Sequence, residues 1–200
     1  MLFFWKRSSH NWFESDNEFN RLYPRRIRKL ARRHWTPLFV AQKAAVFLAA
    51  ESGAKILDIG SGAGKFCLAA ARYNPDGQYY GVEQRENMVN YAENARKKLG
   101  LQNVEFIHGN FTQLDFKQYT HFYFYNAFFE NIAIAENIDD SIEYSGELYN
   151  YYNRCLYQML DEKPPGTKLV TFHSLQHEIP NSYKVTTSDV DNLLKFWVKQ

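Results

Sequence analysis

Two hundred residues, 45% of them hydrophobic and 17% aromatic, suit one domain with a sizeable core and exclude a disordered chain. No apolar run approaches the roughly 20 residues needed to cross a bilayer. Met1–Trp5 is too short for a secretory signal, and the two cysteines have no paired or metal-type spacing. A reduced, cytoplasmic protein without a metal is therefore expected. The net charge is +2, but residues 1–45 hold ten basic and three acidic side chains against fourteen and nineteen in the remainder.

The chain opens on an aromatic arm, with Phe3, Phe4, Trp5, Trp12, Phe13 and Phe19 set among Ser, Asn and Asp. An irregular segment is expected over residues 1–20, one that either folds back onto the domain or covers a site. Residues 21–35 read as one basic amphipathic helix. Pro24 suits its start, and Ile27, Leu30, Ala31 and Trp35 recur at helical spacing. Its other face carries Arg21, Arg25, Arg26, Arg28, Lys29, Arg32 and Arg33. That face meets water, nucleic-acid phosphates or an anionic surface. Thr36 and Pro37 read as N-cap and first residue of a helix reaching about Glu51. The natural division is a 1–35 extension and a 36–200 domain.

Lys55–Phe66 is a short buried strand, a glycine turn and a helix start. Gly60, Gly62 and Gly64 permit a sharp turn and close approach of a ligand to the backbone. A dinucleotide fingerprint requires glycine where Lys65 stands, and a phosphate loop requires Ser or Thr where Phe66 stands, so both patterns fail. What remains is Asp58 two positions before Gly-x-Gly-x-Gly. This resembles the first motif of class I S-adenosylmethionine-dependent methyltransferases. Gln78–Glu83 then forms a second strand, ending in an acid about twenty residues beyond the turn, the interval of a ribose-binding carboxylate. Leu101–Asn110 supplies a third strand and loop.

The resemblance covers roughly residues 36–198. It implies an α/β fold with a seven-stranded, mostly parallel Rossmann-like sheet, helices on both faces and a helical N-terminal extension. It also implies S-adenosylmethionine as cofactor, held by Asp58, Gly60, Ser61, Gly62, Gly64, Glu83, Gln84, Asn110 and Phe111. Asn110 stands where the family usually has Asp against the adenine amino group.

A helix over 64–73 ends at the turn signal Asn74-Pro75-Asp76-Gly77. A second, over 85–99, is expected to bury Met88, Tyr91, Ala92, Ala95 and Leu99 and to leave Arg85, Glu86, Arg96, Lys97 and Lys98 in water. Tyr119–Asn126 is an aromatic fourth strand. The following Tyr125-Asn126-Ala127-Phe128 resembles the substrate loop of non-SET lysine methyltransferases. It is also similar to the Asn-Pro-Pro-Tyr/Phe loop of amino-group methyltransferases, with Ala127 in place of the first proline. The resemblance implies Asn126, Tyr125 and Phe128 as the residues that position a nucleophile. An amide oxygen can orient an amine, and aromatic faces attract a sulfonium methyl. Glu130 faces either a cationic substrate or water.

Residues 132–143 form an acidic connection, 145–161 a helix, and 168–173 a fifth strand ending at His173. A hairpin over 183–187 and 193–198 closes the sheet. The expected activity is methyl transfer, to nitrogen by preference, on a protein lysine or RNA. An NAD(P)-dependent oxidoreductase and a non-catalytic binding module are the alternatives.

Overall fold

The computed structural model describes residues 11–132 and 138–200, so the expectation for Phe3, Phe4 and Trp5 lies outside the described residues. Seven strands form one sheet: β1 Lys55–Ile59, β2 Gln78–Glu83, β3 Val104–His108, β4 His121–Phe124, β5 Lys168–Phe172, β6 Tyr183–Asp189 and β7 Leu194–Lys199. Their order is β3-β2-β1-β4-β5-β7-β6. β1 pairs in parallel with both β2 and β4, and β7 enters antiparallel between β5 and β6. The chain reverses its winding at β1, so the crevice for a ligand opens beyond the carboxyl ends of β1, β2 and β4.

The pleat divides the core in two. Ile56, Tyr79, Tyr123 and Phe172 join one apolar cluster with α4 Leu38–Leu48, α5 Lys65–Tyr73 and α6 Glu86–Leu99. Leu57, Ile59, Phe122 and Trp197 join the other, with α7 Gly146–Asp161 and the turns that follow β3 and β4. Helices therefore cover both faces, as parallel strands require.

Residues 11–35 form a strap along the first of these faces. Three short helices run through it: α1 Asp16–Asn20, α2 Arg25–Arg28 and α3 Ala31–His34. Phe19, Tyr23, Ile27 and Trp35 are buried in the core. Phe13 packs edge-on to Phe19 and Tyr73, so this part of the aromatic arm folds back onto the domain. The strap is bolted down by polar contacts as well. Tyr23 donates to the Ala63 carbonyl at 2.9 Å, and the buried Lys65 ammonium meets Asp16 at 2.5 Å. Burial pulls the Lys65 pKa down, while Asp16 opposes the shift.

Three local expectations change. The single basic helix is two four-residue turns, because the amides of Leu30 and Arg33 bond three residues back, to Ile27 and Leu30. Arg28 meanwhile turns its guanidinium back onto the Tyr23 carbonyl. Thr36 does not cap α4, since its hydroxyl is spent on Tyr123 at 3.0 Å. The cap comes instead from α1, where Asp16 accepts the Leu38 amide at 3.1 Å. Arg85 does not face water but is buried. Among the described residues no helix is long and apolar enough to cross a membrane.

Candidate active site

A cavity of about 500 Å³ lies at the carboxyl ends of β1, β2 and β4. Gly60 and Gly62 form its floor, Glu83, Gln84 and Phe111 one side, and Tyr125, Asn126 and Phe128 the other. Arg32, Arg33, His34 and Trp35 from the strap close it laterally.

The glycines have different tasks. Gly60 has φ +76°, and a Cβ there would stand 2.3 Å from the Ala127 Cβ, so it lets the loop after β4 lie against the turn. Gly62, at φ +52°, has open space where a Cβ would project. A Cβ on Gly64 would strike Phe106 and Ala92, so that glycine serves the packing of α5 against the sheet.

Glu83 is buried and organises the floor. One carboxylate oxygen accepts the Gly62 amide at 3.0 Å; the other accepts the Arg85 amide at 2.9 Å and Arg85 Nη1 at 3.3 Å. Arg85, two residues on, is the N-cap of α6, where the helix dipole opposes a cation. It is held there by a ring of acceptors. Nη2 reaches Glu130 at 2.6 Å and the Tyr144 hydroxyl at 2.7 Å, and Nε reaches Asp139 at 3.3 Å. Burial disfavours the guanidinium charge, yet Glu130 and Glu83 outweigh that and raise its pKa. Glu130 is thus the partner of a buried arginine, and Tyr144 lines the cavity. The sequence carried one signal for Arg85, a cation in the first turn of a helix; its partners lie too far along the chain to be read.

The remaining singled-out residues are distributed as follows. Asp58, Ser61, Gly64 and Asn110 do not line the cavity. Asp58 shares the pleat of Ile56, beneath α5, where the Cys67 thiol approaches it at 3.6 Å. Burial, with some help from Glu83, pushes its pKa up to about 8. Ser61 leaves its hydroxyl oxygen buried without a partner among the described residues. Asn110 caps the turn at Phe111–Gln113: its oxygen accepts from the Thr112 amide and hydroxyl, and its nitrogen donates to Gln84 and to Tyr152. It therefore holds Gln84, which does line the cavity, in place.

Across the cavity, Asn126 has the left-handed φ of +40° and His173 one of +59°, both just beyond strand ends and bordering the cavity. Such backbone is strained in residues with a Cβ and clusters at functional sites. The Tyr125 ring lies 4.8 Å from Phe172 and 5.6 Å from His173, and its hydroxyl donates to the Arg33 carbonyl at 3.0 Å. Burial lowers the His173 pKa. Phe128 stacks on Phe111 at 5.1 Å and lies 5.5 Å from Tyr152, so it packs and lines the cavity at once.

The pattern that defines the methyltransferase-domain family matches residues 50–184, two-thirds of the chain. The chain belongs to that family. The methyltransferase is similar over 54 residues, at 48% identity, to a tRNA (guanine-N(7)-)-methyltransferase of Synechococcus sp. strain JA-3-3Ab; the match covers 27% of this chain and 23% of the relative. It is 36% identical over 128 residues to a demethylmenaquinone methyltransferase of Bacillus cytotoxicus, covering 62% and 46%. The chain thus spans less than half the length of these curated relatives. An RNA methyltransferase from Salinibacter ruber, solved with S-adenosyl-L-homocysteine, superimposes with a TM-score of 0.58 at 20% identity over 82% of this chain and 93% of that one. A SAM-dependent methyltransferase of Aquifex aeolicus gives 0.53 at 18% identity over 86% and 96%. The fold is that of the class I, S-adenosylmethionine-dependent methyltransferases, as the sequence resemblance implied.

The cavity suits that cofactor chemically. Glu83 retains an open acceptor position for a ribose hydroxyl, and Gly62 leaves room for a ligand beside its backbone. Among the described residues no cluster of His, Cys, Asp and Glu could hold a metal ion.

Proposed function

We propose that this protein transfers a methyl group from S-adenosylmethionine to a nitrogen nucleophile of an RNA. The observation that carries the cofactor half is the Glu83 carboxylate closed over the Gly62 amide at the cavity floor. In this reading residues 36–200 are the methyltransferase domain and the preceding strap is its acceptor-facing wall. Glu83 accepts the ribose hydroxyls. Gln84 and Phe111 flank the adenine, and Asn110 fixes Gln84. Gly60 and Gly62 shape the floor, Ser61 joins them in the turn, Gly64 supports it at the start of α5, and Asp58 is a neutral buried acid behind it.

The cofactor supplies an electrophilic methyl, so the protein's task is alignment and exclusion of water more than proton transfer. Asn126 orients the attacking nitrogen through its amide oxygen. Tyr125 and Phe128 present aromatic faces to the transferring methyl. The RNA reading rests on Arg32 and Arg33 at the cavity wall, with Arg25 exposed on the same strap. A basic peptide is the second reading. It is favoured by the groove beyond Tyr144, lined by Tyr149, Tyr151, Tyr157, Glu147 and Glu178.

Calorimetry with S-adenosylhomocysteine and with NAD tests the cofactor, and only the first should bind. Transfer of a labelled methyl into fractionated lysate tests the acceptor. Label in RNA, reduced when Arg25 and Arg32 are replaced by Ser, is the expected result. Label confined to protein or small molecules would refute the RNA assignment.

A further inference from the structure

The cluster around Arg85 does more than stabilise a buried charge. The Glu83 carboxylate has about four lone-pair sites. Three are already taken, by the Gly62 amide, the Arg85 amide and Arg85 Nη1. A ribose diol brings two O–H donors, so one of these three must give way. The two amides belong to the glycine turn and the start of α6, and they bond at 3.0 and 2.9 Å. Arg85 Nη1 is the longest contact, at 3.3 Å, and sits on a side chain with other acceptors within reach.

Those acceptors hold the segment over the cavity. Glu130 accepts the Ile138 amide at 3.2 Å, and Asp139 accepts the Ser141 amide at 3.0 Å. Tyr144 donates to the Asp139 carbonyl at 2.5 Å. Ile138, Ile142 and Tyr144 line the cavity.

We propose that Arg85 is a positioning residue that shares Glu83 with the cofactor's ribose diol and, on yielding it, tightens residues 138–144 over the cavity. This rests on the assignment of Glu83 to the ribose made above. Arg85 gives up its 3.3 Å contact with Glu83 and turns fully to Glu130 and Asp139, whose other bonds order the segment. A lysine in its place keeps the charge, but one ammonium cannot span Glu83, Glu130 and Asp139 as a planar fork does.

The test is amide hydrogen exchange over residues 138–146, with and without S-adenosylhomocysteine, alongside calorimetry. In the wild type the ligand should slow exchange there by roughly tenfold or more. Arg85→Lys should bind the ligand no more weakly than wild type, because Glu83 is freed, yet lose the added protection. Glu130→Gln, a second variant that keeps both Glu83 and Arg85, should also lose the added protection and guards against poor folding of the first. Equal protection in all three proteins would overturn the proposal. So would weaker ligand binding by Arg85→Lys, which would make the guanidinium a direct cofactor contact. A wild type that binds the ligand without added protection overturns the coupling alone. A wild type that does not bind at all overturns the ribose assignment and the coupling with it.

Discussion

Asp58 is a carboxyl group with no cation beside it, fully enclosed between β1 and α5. Its pKa rises from 3.8 to about 8, chiefly through burial, and this makes stability depend on pH in a calculable way. The folded protein retains a proton on Asp58 that the unfolded chain releases near pH 3.8. Stability from this group is therefore fully present at acid pH and is lost as pH rises towards about 8. The slope is about 1.4 kcal/mol per pH unit, giving a ceiling of about 4 kcal/mol at pH 7. Asp58→Asn keeps the shape, and its amide oxygen still accepts from the Cys67 thiol, but it removes the titration. Relative to wild type, the variant should gain stability steadily from about pH 4 up to pH 8. Urea unfolding at half-unit pH steps, plotted as the difference between the two proteins, measures this directly. A difference that stays flat between pH 5 and 8 would refute the argument that Asp58 is buried and neutral. Calorimetry on the same samples should show S-adenosylhomocysteine affinity little changed, because Asp58 lies behind the cavity floor.

Three further outcomes are expected. Glu83→Gln places an amide nitrogen or a lone oxygen against two backbone donors and should weaken S-adenosylhomocysteine binding by roughly 10- to 100-fold in calorimetry, the equivalent of one buried donor left unpaired. Gly60→Ala should destabilise by about 2 kcal/mol or more, because its Cβ meets the Ala127 Cβ. Gly62→Ala, which meets nothing, should cost only about 1 kcal/mol of backbone strain, and thermal melting should rank the two accordingly. Asp16→Asn removes the counter-charge of buried Lys65 and competes for the Leu38 cap. A loss of about 1–2 kcal/mol is expected in denaturant unfolding, since the Asp16 side chain is itself 45% exposed.

The strand, glycine turn and helix around β1 were legible because apolar runs and glycine spacing are local signals. The same holds for Glu83, whose distance from the turn is set by the length of one helix and one strand. Which side a residue takes was not local. Asp58 is one pleat away from Leu57, and the packing of α5 on that face puts it beside Cys67. The Asn110 oxygen is taken by Thr112, a choice made by a turn of three residues that no periodicity announces. Arg85 shows the limit best. Its ring of partners comes from residues 83, 130, 139 and 144, which only the assembled sheet brings together. The basic stretch before Thr36 carried helical spacing, but spacing alone does not reveal where i→i+3 bonds shorten a helix.

The strap contributes no strand to the sheet. It is fastened by a handful of side chains, among them Tyr23 on the Ala63 carbonyl, Asp16 on Lys65 and Tyr125 on the Arg33 carbonyl. It precedes the stretch common to the family, which begins at residue 50. A lineage could therefore rewrite this border, trading arginines for other groups, without touching the machinery that grips the methyl donor. On the proposed reading, choice of client and chemistry of transfer would then evolve on separate pieces of one small fold.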